Sequence, residues 1–402
     1  MSREIQERKP AMTALVQKYK VIDTDTHIIE PYDLWTSRIS VKKWGDRVPN
    51  VKWDPVAKED AWYFNNNRLG TAAGAAMAGW HEYPPKHPRV WADVAPSAWN
   101  ATERLKKMDE YGIYAQIFYP NVAGFGAGQY LGLEDPELMM LCVQAYNNWA
   151  VEWASADKKR LIPQAAMPFW DMDLCIKEME RAAKIGHKGL ILTSEPQHFG
   201  QPKLTDPHWD RFWAAAQDMQ LPINFHIGSG DMSDFTLIHE RNGQHAAFAS
   251  LPVLFTLQNS RVIAQLVMGG ICHMFPRLNF VSVESGVGWL PFALDMMDWM
   301  WINGGVRQDN PSLDLLPSEY FKRQIYGCFW FERRTLKTAI DQLGADNILY
   351  ESDFPHPTSM SPGPASTAVA PKQYIQEVLA DYPADVVEKI LYSNAAKVYH
   401  LD

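Results

Sequence analysis

Residues 21–27 read Val-Ile-Asp-Thr-Asp-Thr-His, an apolar start running into Asp23, Asp25 and His27. The β-branched content predicts a strand. Alternate strand side chains share a face, so Asp25 and His27 point the same way, about 7 Å apart along the backbone. A carboxylate and an imidazole on one face are both metal-ligand types. Such a triplet also arises by chance, so the rest of the chain must decide.

Working outward, seven more short apolar runs predict strands at 114–119, 162–167, 188–192, 223–227, 279–284, 324–329 and 347–351. Between them, 136–154, 174–185 and 206–220 carry apolar residues at helical spacing. Strand and helix alternating around eight strands predict an α/β fold, a (β/α)8 barrel of the TIM type. Residues 1–402 are read as one domain, since such barrels run longer than most. Residues 28–100 cannot be a simple crossover and are read as a long insertion between strands one and two. Its small-residue stretch from Gly70 to Gly79 reads equally as a lid or mobile loop and as a plain surface loop. A second long connection, 228–260, carries His239 and His245, and 357–371 reads as irregular chain before a closing helix at 372–379.

Composition narrows the function. The formal charge is −9 and no Lys/Arg-rich run could follow a phosphate backbone, which argues against nucleic acid. The first twenty residues are charged and polar, unlike a secretory signal, and no apolar stretch is long enough to span a membrane. A cytoplasmic enzyme with a small-molecule substrate is expected. Cys142, Cys175, Cys272 and Cys328 are far apart with no C-x-x-C pair and read as buried thiols. Several of the tryptophans sit in turn-rich stretches, among them Trp35, Trp44, Trp80, Trp91 and Trp99, and are expected to pack beneath long loops.

Barrel active sites sit where strand C-termini converge. Strand five ends at His226 before Gly228-Ser-Gly230, strand six at Glu284, and strand eight runs into Asp353-Phe-Pro-His356. An unpaired buried carboxylate costs several kcal/mol, which a divalent cation removes. Asp25, His27, His226, Glu284 and Asp353 are therefore the ligand-type side chains expected around a metal, with Glu284, Asp353 and His356 as catalytic candidates. Glu284 is expected to act as general base, to bridge a second metal, or merely to cap the turn that follows. Arg47, Arg68, Arg89 and Arg241 are the candidates for fixing a substrate carboxylate.

Taken together, Ile22-Asp-Thr-Asp-Thr-His27-Ile-Ile-Glu30-Pro31, Arg104-Leu-Lys-Lys-Met108-Asp109, His226-Ile-Gly228, Glu284-Ser-Gly-Val-Gly-Trp289, Asp353-Phe-Pro-His356 and Ser393-Asn-Ala resemble the amidohydrolase superfamily. The similarity is to its amidohydrolase-2 branch, which includes aminocarboxymuconate semialdehyde decarboxylase and aromatic acid decarboxylases. The resemblance implies one divalent ion, Zn, Mn or Fe, on Asp25, His27, His226 and Asp353. It implies hydrolysis or non-oxidative decarboxylation of a small carboxylated or carbonyl-bearing substrate, and a homodimer or a related barrel subunit as partner. In those decarboxylases a His ends strand six; here Glu284 stands there. That exchange leaves room for a second metal and for a dinuclear iron oxygenase as the alternative, with a non-catalytic barrel subunit as the third.

Overall fold

The computed structural model describes residues 14–231 and 240–402. Two parallel sheets form the centre. One has the order β1 (Ile22–His27), β5 (Ala115–Tyr119), β6 (Leu161–Pro163). The other runs β12 (Ile348–Tyr350), β11 (Ile325–Phe329), β10 (Phe280–Val283), β9 (Ile223–His226), β8 (Leu190–Ile191), β7 (Ala165–Ala166). They abut at both edges. β6 and β7 are halves of one segment broken at Gln164, the first half pairing with β5 and the second with β8. At the other edge Asp353 N–H donates to Asp25 O at 2.9 Å and His27 N–H to Phe354 O at 2.6 Å. All eight predicted strands are present in a (β/α)8 arrangement, most of them trimmed at one or both ends, most of all 188–192, reduced to two residues.

The helix Pro136–Ala154 has the expected bounds because Asp135 caps it and Pro136 starts it. The predicted 174–185 helix begins earlier, at Met172, where Asp171 accepts the Leu174 N–H. The predicted 206–220 helix is a tight 3-10 turn, Pro207–Trp209, followed by Asp210–Asp218, because Asp206 caps the turn instead. The closing helix Pro371–Leu379 starts at its proline. The connection 228–260 is corrected: the helix Gln244–Met268 occupies its second half, and His239 lies outside the described residues.

The insertion holds what the sequence reading missed, an antiparallel sheet of β2 (Asn50–Asp54), β3 (Glu59–Phe64) and β4 (Asn67–Thr71). The lid expected at Gly70 to Gly79 is not loose chain. Gly70 and Thr71 end β4, Ala73 and Ala76 are buried, and the N–H groups of Met77 and Ala78 both donate to Pro355 O, at 2.8 and 2.9 Å. The insertion is thereby tied to the loop after β12.

Trp35 is fully buried, edge-on to Trp62 and Phe64, so it packs beneath the insertion. The four cysteines are free and buried. Among the described residues no helix is long and apolar enough to cross a membrane.

Candidate metal centre

Two imidazoles from opposite sides of the barrel meet at its C-terminal rim. His27 ends β1 and His226 ends β9, and their Nε2 atoms are 3.0 Å apart. His27 Nδ1 faces Pro120 O at 3.3 Å and His226 Nδ1 faces Ile227 O at 2.7 Å. A carbonyl oxygen only accepts, so each Nδ1 carries the proton and each Nε2 presents a lone pair. Two facing lone pairs repel unless a cation, a metal ion or a shared proton, lies between them.

The carboxylates gather at the same point. Asp25 Oδ1 lies 3.3 Å from His27 Nε2 and 3.6 Å from His226 Nε2, and Asp353 Oδ1 lies 3.6 Å from His27 Nε2. All four side chains are fully buried. Both oxygens of Asp25 and Oδ1 of Asp353 have no hydrogen-bond donor. Buried acceptors without donors are costly, and a divalent cation removes that cost. Two imidazole nitrogens with two carboxylates suit Zn, Mn or Fe and do not choose among them.

Glu284 and His356 flank this set. Glu284 Oε2 is 3.5 Å from His226 Nε2, and its Oε1 lies 3.3 Å from Thr358 Oγ1. The same hydroxyl donates to Asp353 Oδ2. Asp25, Glu284 and Asp353 offer ligand atoms all within 4.8 Å of one another, as do His27, Asp353 and His356. Glu284 does not cap the following turn: Glu332 does, accepting the Val287 and Gly288 N–H groups at 2.9 and 2.7 Å. His356 stacks on His27 with ring centres 3.7 Å apart. Its Nε2 donates to Asn121 Oδ1 at 2.6 Å, and its Nδ1 lies 2.8 Å from Asp353 Oδ1 without hydrogen-bond geometry.

Backbone geometry aims the two strand-end acids. Glu284 and Asp353 both have φ of 56°, a left-handed conformation that costs a non-glycine residue about 1–3 kcal/mol. Regular strand would send these side chains elsewhere; the left-handed turn brings them across the rim.

Electrostatics follow from crowding. Burial, then the charges of Asp353 and Asp25, push the Glu284 carboxyl well above the usual carboxylate range. Glu351, which the sequence reading missed, is raised for the same reasons, burial first and then Asp25, while its Oε2 accepts the Glu284 N–H at 3.1 Å. For Asp25 burial pushes upward, but positive charge on the His226 and His27 imidazoles outweighs it wherever they are protonated and holds the carboxyl low. Burial, with His356 beside it, lowers His27 to about 4.

The arginine candidates do not reach the centre. Arg68 and Arg89 pair with Glu59, Arg68 also with Asp54, and Arg47 bonds Asn65 and Leu133 O within the insertion's neighbourhood. Arg241 is exposed. Glu30 is buried and accepts the N–H groups of Asn121 and Val122, shaping the loop beside His356. His81 lies against Trp80, His245 bonds Pro84 O and His273 bonds Tyr320 Oη, all apart from the cluster. Arg104, buried, donates to His27 O at 2.6 Å and so holds the end of β1.

A parallel α/β barrel with a His/carboxylate donor nest at its C-terminal rim defines a class, that of metal-assisted barrel enzymes. The chain belongs to the amidohydrolase family (Amidohydro_2), whose sequence model matches residues 22–401, and it is an enzyme of that family. It is 25% identical over 268 residues to a gamma-resorcylate decarboxylase of Polaromonas sp., covering 63% of this chain and 76% of the relative. In fold it is similar to an amidohydrolase from Mycobacterium avium subsp. paratuberculosis, with a TM-score of 0.73 at 21% identity, covering 95% of this chain and 99% of that one. It is also similar to a Polaromonas dihydroxybenzoic acid decarboxylase with bound manganese and 2-nitroresorcinol, with a TM-score of 0.60 at 17% identity, covering 95% and 97%. At these identities the solved structures speak to fold alone.

Proposed function

We propose that this chain is a metal-dependent decarboxylase of an aromatic or otherwise apolar carboxylate, built on the same site logic as the family's hydrolases. The carrying observation is the meeting of the His27 and His226 Nε2 atoms with the two donor-free oxygens of Asp25 and Oδ1 of Asp353. Similarity to gamma-resorcylate decarboxylases favours loss of CO2 over hydrolysis. The manganese bound by the Polaromonas structure supports a divalent ion here.

Asp25, His27, His226 and Asp353 would hold that ion, which supplies Lewis acidity toward a substrate oxygen. Glu284 has the proton role. Burial and the neighbouring carboxylates raise its carboxyl and so favour the protonated form, with Thr358 Oγ1 3.3 Å from Oε1. In decarboxylation the bond from carbon to carboxylate breaks, CO2 leaves, and the electron pair left on carbon takes the Glu284 proton. His356 keeps Asp353 in place through the 2.8 Å contact. Phe125, its ring centre 4.0 Å from that of His226, shields the centre from bulk water.

Elemental analysis of wild type, Asp353→Ala and Glu284→Gln tests the assignment, with CO2 release from 2,6-dihydroxybenzoate and 5-carboxyvanillate as the assay. Asp353→Ala should lose metal; Glu284→Gln should keep it and lose turnover. Metal held by Asp353→Ala at wild-type stoichiometry removes that residue from the ligand set. A second reading, a dinuclear iron oxygenase, is favoured by the close trio Asp25, Glu284 and Asp353. Two ions per chain, including iron, would select it.

A further inference from the structure

Two clefts flank the rim, of about 900 and 560 Å³, sharing Phe248 and Pro357 as walls. The larger is bounded by Phe248, Pro252 and Val253 of the helix Gln244–Met268, by Trp330 and Phe331 after β11, and by Met360. Val253 and Phe331 are 67% and 60% exposed, large apolar groups facing the opening.

Several polar groups of this wall are engaged elsewhere. Tyr374 Oη donates to Glu332 O at 2.6 Å, Thr256 Oγ1 to Val253 O at 2.7 Å, and Arg333 pairs with Glu377 at 2.7 Å. Most of the remaining lining is apolar. One lining residue connects it to the chemistry: Thr358, whose hydroxyl donates to Asp353 Oδ2 and lies 3.3 Å from Glu284 Oε1. Cavities of roughly 300–1,000 Å³ enclose most of a drug-sized ligand, and a single aromatic ring would leave most of this one filled with water.

We propose that the larger cleft binds the apolar body of a polycyclic carboxylate, bulkier than a one-ring acid, with its carboxylate end at Thr358. Placing that end at the metal rests on the function proposed above; the fit of the body to the cleft does not. The occupant is committed by continuity, since the apolar walls run directly to the hydroxyl that touches the acid pair.

Calorimetric titration of the metal-loaded full chain with benzoate, 2-naphthoate and 2-anthracenecarboxylate tests this. Affinity should rise about fivefold per added ring, the order expected for burying apolar surface. Ala249 lines the cleft on an exposed helix position, and Ala249→Trp should cut the anthracene-to-benzoate affinity ratio at least tenfold. Val253→Trp should do the same by filling a neighbouring point. Repeating the series in Asp353→Ala separates the two proposals: without metal all three acids weaken together while the dependence on ring number stays. Undiminished acid affinity in a metal-free Asp353→Ala would count against the metal function alone. Equal affinities for the three acids, or a ratio unchanged in both Trp variants, overturns the cleft assignment. A second copy of the chain covering the cleft would also give the flat series and overturn it.

Discussion

Asp23 and Asp25 stand two residues apart on one strand, both fully buried, in opposite situations. Asp23 is wrapped in donors: Ser352 gives its N–H at 2.8 Å and its hydroxyl at 2.5 Å, and Gln116 Nε2 approaches at 3.2 Å. Asp25 has no hydrogen-bond donor on either oxygen and faces imidazole lone pairs. Below the rim the barrel satisfies its acids with protein groups, as expected of structural polar residues. At the rim it leaves them unsatisfied. The difference marks where a cation belongs more sharply than burial or residue type does.

Four experiments break or sharpen that contrast. Asp25→Asn should have the largest effect, loss of bound metal and a fall in turnover of about a thousandfold or more, since several kcal/mol of charge stabilisation go with the ion. The thermal upshift that added metal gives wild type should vanish in this variant.

Next comes acid stability, through a buried histidine away from the rim. Burial lowers the His187 imidazole from 6.5 to about 4, with Nε2 on Asn147 O at 3.0 Å. Between these values the unfolded chain binds the extra proton, so stability is full above pH 6.5 and falls toward pH 4 by about 3 kcal/mol. In denaturant melts over that range, His187→Gln should show a shallower fall. An equal slope would show that other groups control the acid limb.

Asp23→Asn should cost about 2 kcal/mol of stability by misplacing two donors, yet keep full metal stoichiometry. Loss of metal in this variant would erase the proposed division of labour. Arg104→Lys should have the smallest effect, weakening metal binding about tenfold without abolishing it, because a single-point ammonium replaces the fork that fixes His27 O. Competition with a chelator measures this.

The barrel was legible because strands buried on both faces are compact apolar runs, and the ligand set was legible because strand ends of a known polarity must converge. The insertion's sheet escaped notice for the opposite reason: β2 and β4 are largely exposed or half-buried and lack apolar runs. One signal was available. Asn65 and Asn66 join β3 to β4 with φ of 49° and 65°, the turn chemistry of a tight hairpin. Glu351 and Thr358 could not be ranked from sequence, since their roles depend on loops whose direction no periodicity sets. The arginines misled because a charge in a sequence does not disclose its partner; three of the four candidates are bound to acids or carbonyls around the insertion.

The paired N–H groups of Met77 and Ala78 on the single oxygen of Pro355 have a consequence for protein engineering. They clip a distant part of the chain to the tripeptide beside Asp353, so residues 70–79 and 353–360 form one transplantable cassette. A chimera exchanging only one half with a related barrel would detune the position of the rim acid. Exchanging both halves together should carry the geometry across intact.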